Sequence, residues 1–240
     1  MIKDMEELVS RVRAAVEHYD MINDGDHIAV GVSGGKDSLF LLCALSSLKR
    51  YYPKKFEITA ITADPCFGGA STDFGCVEEL CRRLKIPYII RRTDLAKIIF
   101  EDRKEANPCS LCARMRRGIL HDMAKDAGCK KIALGHHHDD AAETFLMNLL
   151  YGGNIGCFSP VTYLSRKDLT MIRPLIFCSE RDVKNTVNRL NLPVVKSECP
   201  VDGTTGRADT ANLLNELEKV FPDVKNKITG AMQRGNVSRW

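Results

Sequence analysis

The chain has 240 residues, 44% of them apolar, with ten cysteines and a formal net charge of +4. This length suffices for one large α/β domain with a small appendage and a sizeable core. No run of about 18 apolar residues occurs, which excludes a membrane-spanning helix, and the charged N-terminal stretch is unlike a signal peptide. A cytoplasmic protein is expected, without membrane attachment. In a reducing compartment, clustered cysteines point to metal or redox chemistry rather than to a disulfide framework.

In chain order, Met5, Leu8, Val9, Val12 and Val16 recur at helical spacing and predict a docking helix. Short apolar runs predict strands at Ile28–Val32, Phe56–Ala63, Ile86–Ile90 and Lys130–Gly135. Helical patterns lie between them, at about Leu39–Arg50, Phe74–Leu84 and Leu111–Ala127. This alternation argues for a parallel twisted sheet with helices on both faces, and therefore for a site at the carboxyl ends of the strands. Beyond Tyr151-Gly152-Gly153 the pattern loosens. Short strands are expected at Met171–Phe177 and Pro193–Lys196, a helix at Glu180–Leu190, and a polar loop at Thr204–Ala208. A closing helical region, about Thr210–Gln233, is expected to break at Pro222.

The run Ser33-Gly34-Gly35-Lys36-Asp37-Ser38 falls where the first strand should give way to a helix. A helix N-terminus offers unpaired N–H groups and partial positive charge to a phosphate. Gly34 and Gly35 permit close backbone approach, the Ser33 and Ser38 hydroxyls add donors, and Lys36 adds charge. The GK[ST] ending of a Walker A loop is missing. The run is similar to the PP-loop of the ATP pyrophosphatase superfamily, which implies cleavage of ATP between its α and β phosphates. Asp64 and His136 also fall just past strand ends and should converge on this loop.

A second motif runs from Leu134-Gly135-His136 through Asp139-Asp140 to Thr144. Asp139 or Asp140, with Asp37, is expected to hold Mg²⁺ beside the loop, while Gly135, His136 and Thr144 line the nucleotide site. The same aspartates are catalytic candidates. Three adjacent histidines also invite a zinc reading, but neighbouring residues at a strand end rarely point one way.

The third feature is Pro108-Cys109-Ser110-Leu111-Cys112, ahead of Arg114, Arg116 and Arg117. A helix N-terminus and these arginines are expected to lower the thiol pKa values. No second CxxC exists to complete a zinc site, and Cys199 is the best remote partner. A three-thiolate [4Fe-4S] cluster with one open iron, a Cys109–Cys112 redox disulfide, and unligated thiols remain alternatives. From Arg82 to Lys131 there are 14 Lys and Arg against 6 Asp and Glu, which suits RNA.

Together with Asn148-x-x-Tyr151-Gly152-Gly153, Ile172-Arg173-Pro174-Leu175 and the closing Phe221–Gln233 segment, these motifs resemble the TtcA family of tRNA 2-thiocytidine synthetases. The element pattern predicts an N-terminal helix over 1–25, one domain over 26–200 and a C-terminal helical extension over 201–240, and the resemblance implies that the middle one is a PP-loop domain. It implies adenylation of the C2 oxygen of a tRNA cytidine, then replacement by sulfur from a [4Fe-4S] cluster on Cys109, Cys112 and Cys199. ATP, Mg²⁺ and the cluster are the implied cofactors. The implied partners are tRNA, a cysteine desulfurase or sulfide as sulfur donor, and a second subunit in a homodimer. Arg116 is implied to stabilise developing charge, and Arg114, Arg116 and Arg117 to contact RNA. A lysidine-type ligase, a 2-thiouridine synthetase and a redox-sensing RNA-binding module are the alternatives.

Overall fold

The segment Asp26–Gly31 forms β1, and Ile28, Ala29 and Val30 are buried on both faces. Such a continuous apolar run belongs at the centre of a parallel sheet. In the computed structural model, which describes residues 6–103, 108–201 and 206–240, β1 is indeed flanked on both sides. Phe56–Asp64 (β2) and Tyr88–Arg92 (β3) extend the sheet one way; Lys131–Ala133 (β4) and Leu169–Ile172 (β6) extend it the other. The order is β3-β2-β1-β4-β6-β5, parallel except for the final pair, in which Val161–Leu164 (β5) runs antiparallel to β6. Ile28 stands opposite Ile58 on β2 and Lys131 on β4. The chain thus moves outward from β1 and returns on its other side, so β1 and β4 flank a switch point where a ligand crevice opens.

Helices cover both faces. Lys36–Leu48 (α2) buries Leu39 through Leu45, and Glu6–His18 (α1) packs Leu8, Val9, Val12 and Val16 into the same core. On the opposite face Pro108–Asp126 (α4) sets Met123 and Ala124 against Ala29, Ile61 and Ile132. Gly75–Leu84 (α3) and Glu180–Arg189 (α6) bring Val77, Leu80 and Val183 to the α2 side. His138–Gly152 (α5), Gly206–Val220 (α7) and Val224–Arg234 (α8) pack on one another. Met232 and Trp240 rejoin the main core. Met5 of the N-terminal pattern and Thr204 of the expected polar loop lie outside the described residues.

Three expectations change, and two elements appear that the sequence did not announce. Pro193–Lys196 forms no strand; the Val195 N–H instead donates to Gly34 O at 3.0 Å, so this stretch is fastened to the loop after β1. The strand expected over Met171–Phe177 ends at Ile172, because Pro174 has no N–H for a ladder. The β5–β6 hairpin and a π-helical turn at Lys97–Asp102 were not expected. Residues 206–208 of the expected polar loop open α7. No helix among the described residues is long and apolar enough to cross a membrane.

Candidate active site

Ser33, Gly34 and Gly35 join β1 to α2. Gly34 has φ +84°, and a Cβ there would lie 2.8 Å from Val195 Cβ, so glycine is required twice over. The Ser38 hydroxyl accepts from Ser33 N at 3.1 Å and donates to Gly35 O at 2.9 Å, closing the turn. Gly35 is the N-cap of α2 and supplies no side-chain cap, leaving the helix start open to an anion.

Asp37 stands in the first turn of α2. Its Oδ2 accepts from Lys36 Nζ at 3.0 Å, and that ammonium also pairs with Glu180 Oε1 at 2.9 Å. Burial pulls the Lys36 pKa down, but Glu180 and Asp37 outweigh it and hold the group above its ordinary value. Asp37 Oδ1 is buried with no hydrogen-bond partner, and His137 Nε2 stands 3.9 Å away. Such an orphaned carboxylate oxygen suits a cation.

The turn after β4 presses against this loop. A Cβ on Gly135 would meet the Asp37 carbonyl carbon at 3.1 Å and Ser38 N at 3.2 Å, so glycine permits the contact. The three histidines then diverge. The His136 ring meets Phe158 at 5.1 Å; His137 caps α5 in a reciprocal pair with Asp140; His138 Nε2 bonds Thr229 Oγ1 at 2.7 Å. Burial lowers the His138 pKa, with Asp139 opposing. The trio therefore makes no zinc site.

The two aspartates diverge as well. Asp140 lines a cavity of about 440 Å³ together with Ser33, Asp37, Ser38, Gly135 and His136. Asp139 does not: Oδ2 accepts from Glu180 N at 2.7 Å and Oδ1 from Lys225 Nζ at 2.9 Å. Burial alone would raise its pKa, but the Glu180 N–H and Lys225 hold it below the ordinary carboxylate range. Asp139 thus ties α5 to α6 and α8 and does not line this cavity. Asp64 does not line it either, although its neighbour Ala63 does. Asp64 is fully buried, and its carboxylate accepts from Cys66 N at 3.1 Å and Thr72 N at 2.9 Å, shaping the loop after β2. Thr144, half-buried in the second turn of α5, does not line the cavity, and Lys36 turns toward α6.

Arg116 does reach the cavity wall, whereas Arg114 and Arg117 are exposed on the outer side of α4. Burial lowers the Arg116 pKa, with Cys112, Asp64 and Cys199 opposing. Cys109 and Cys112 occupy the first turn of α4, and all three candidate thiols are half-buried. The expected lowering of thiol pKa is reversed at Cys112. Burial raises it, Arg116 opposes, and the nearby Cys199 and Cys109 add to the rise. Arg116 is thus coupled to Cys112 and Cys199, and Cys112 to both Cys109 and Cys199. Among the described residues no three ligands close on a single metal ion, but three thiols as a donor set have the chemistry of an iron–sulfur site.

Two features escaped the sequence reading. Arg173 is 7% exposed and its guanidinium lies 4.8 Å from the Phe158 ring centroid, while Trp240 Nε1 donates to Phe158 O at 2.7 Å. Together they buttress the ring that holds His136. Burial pulls the Arg173 pKa down to about 10. The second feature is a smaller cavity, about 170 Å³, sharing Ser33 and Arg116 with the first and walled by Phe67, Phe74 and residues 195–198. Its sequence signal was the Phe67–Ser71 loop between Cys66 and Cys76, beside Asp64.

The PP-loop domain family matches residues 5–208 of the chain. The tRNA-cytidine(32) 2-sulfurtransferase of Geobacter sulfurreducens is 40% identical over 229 residues, covering 94% of this chain and 88% of that one. This chain belongs to that sulfurtransferase family, within the PP-loop proteins. Its counterpart from Pelobacter propionicus is 38% identical, covering 92% of this chain and 82% of its own. Among solved structures, the U34-tRNA thiolase NcsA from Methanococcus maripaludis with its [4Fe-4S] cluster superposes with a TM-score of 0.79. It is 27% identical, covering 96% of this chain and 78% of that one.

Proposed function

We propose that this protein is an ATP-dependent tRNA sulfurtransferase that replaces the C2 oxygen of a cytidine with sulfur. The observation that carries the reading is the position of Arg116, which lines the PP-loop cavity and is coupled to Cys112 and Cys199.

ATP phosphates bind the N–H groups at the start of α2 and the Ser33 and Ser38 hydroxyls. Asp37, through its orphaned Oδ1, and Asp140 are the residues that would hold Mg²⁺ there, neutralising phosphate charge. The cytidine C2 oxygen attacks the α-phosphorus, the α–β bridging bond breaks, and pyrophosphate leaves with the electron pair. The base then carries AMP on C2 in place of a poor leaving group. Arg116, in a partly desolvated site, stabilises the charge that develops on the phosphorus oxygens. Cys109, Cys112 and Cys199 would hold a [4Fe-4S] cluster, whose chemistry is to present sulfide to C2 as AMP departs. The sulfide comes from a cysteine desulfurase or from free sulfide, and the reaction belongs in the cytoplasm with tRNA. Leu150, Tyr151 and Ile155, 55%, 68% and 74% exposed, are the surface offered to a second subunit.

A lysidine-type ligase has no use for the Cys109, Cys112 and Cys199 thiols. The test is anaerobic incubation of the iron-loaded protein with ATP, Mg²⁺, sulfide and cytidine-bearing anticodon-loop tRNA. Nucleoside mass spectrometry should find 2-thiocytidine together with tRNA-dependent pyrophosphate. Pyrophosphate without thiolation would favour the ligase, and neither product would overturn the adenylation reading.

A further inference from the structure

The smaller cavity adjoins the nucleotide cavity, sharing Ser33 and Arg116 with it, and is too narrow for a whole nucleotide. Its volume is about 170 Å³, against about 440 Å³ for its neighbour. Two aromatic rings wall it. Phe67 is braced edge-on by Phe100 at 6.2 Å, and the Phe74 ring edge lies against the bend at Gly34. Thr72, also in the wall, is fixed by two hydrogen bonds to the buried Asp64 carboxylate, at 2.9 and 3.1 Å. Opposite, residues 195–198 are anchored by the Val195 N–H on Gly34 O at 3.0 Å. Glu198 closes the rim next to Cys199, and Arg116 forms the partition toward the nucleotide. Aromatic rings on one wall, with polar side chains including Lys196, Ser197 and Glu198 on the other, are what an extruded base requires.

We infer that this cavity receives the acceptor pyrimidine, stacked on Phe67, and that Glu198 reads its identity by accepting from the cytosine N4 amine. This rests on the tRNA-thiolation reading and adds to it the subsite and the discriminating residue. On one edge of cytosine, N3 is flanked by the C2 oxygen and the N4 amine. A residue adjoining Cys199 is therefore placed to hold the amine while C2 faces the phosphate and the thiols. A carboxylate accepts from cytosine N4 and repels the O4 lone pairs of uracil, so one side chain both selects and rejects.

The experiment compares wild type, Glu198→Gln and Phe67→Ala as iron-loaded full-length proteins on two transcripts differing only by cytidine or uridine at the acceptor position. Thionucleoside formation and ATP affinity are both measured. In Glu198→Gln the amide can turn to donate to uracil O4, so the cytidine-to-uridine ratio of kcat/KM should fall by about tenfold or more. ATP affinity should not change. Phe67→Ala should lower kcat/KM on cytidine by about tenfold or more while keeping the preference. A ratio in Glu198→Gln equal to that of wild type overturns the assignment, whatever happens to the overall rate. So does a loss of ATP affinity with the ratio intact, which would place adenine in this cavity. Wild type that thiolates neither transcript would instead remove the tRNA reading, and the subsite with it.

Discussion

Asp37 and Asp139 show how two carboxylates near one loop divide their duties. Asp37 keeps one oxygen buried and unbonded, while both oxygens of Asp139 are occupied by Glu180 N–H and Lys225. Asp37→Ala should abolish tRNA-dependent pyrophosphate release with little change in thermal stability, measured by a coupled phosphate assay and by melting. Full turnover in that variant would remove Asp37 from the nucleotide site. Gly34→Ala should act through the backbone. Left-handed φ costs a non-glycine residue about 1–3 kcal/mol, and the new Cβ would collide with Val195 Cβ at 2.8 Å. A lower melting temperature and weaker ATP binding should appear together, because the strained residue is part of the phosphate loop.

At the scale of elements, the Asp139 contacts fasten α5 to α6 and α8. The folded-state pKa of Asp139 lies below its ordinary value. Its stabilising contribution is therefore complete above the unfolded carboxylate pKa of about 3.9 and is lost as pH falls through the lower folded value. Asp139→Asn should cost about 1.5–3 kcal/mol at neutral pH, and urea titrations should show the gap to wild type closing as pH drops below about 4. A gap independent of pH would mean the ion pair with Lys225 is idle. The same elements mark what the sequence could convey. The parallel strands β1 to β4 and helices α2 to α4 were legible because each is an apolar run or stripe of unambiguous period. The β5–β6 hairpin was not: its first strand is four half-buried or exposed residues with no paired apolar face. Val194-Val195 imitated a strand by composition, yet its backbone partner is Gly34 rather than a ladder. At the site, glycine and serine spacing announced the phosphate loop. Which of two adjacent aspartates faces it depends on the packing of α6 and α8, more than 40 residues away in sequence, and no local pattern carries that.

Across the whole molecule the charge is unevenly spread, and the fold sorts the basic residues by task. The segment from Arg82 to Lys131, with its 14 Lys and Arg, covers the end of α3, the edge strand β3 and the whole of α4. Arg91 on β3 bonds Asp126 at the end of α4 at 2.8 Å, so these elements form one adjoining surface. Arg114 and Arg117 point outward from it, while Arg116 turns in between the two cavities. Exposed arginines that neutralise phosphates release counterions, so tRNA affinity should fall steeply between about 50 and 200 mM salt. Arg114→Glu or Arg117→Glu should each weaken tRNA binding and flatten the slope of log affinity against log salt by about one. Arg116→Ala should behave differently, lowering the rate of pyrophosphate release on bound tRNA while leaving that salt slope close to wild type. Filter binding across a salt series, paired with single-turnover pyrophosphate release, separates the two classes. Equal slopes in all three variants would mean that α4 does not face the RNA backbone, and that its arginines serve only the cavities beneath.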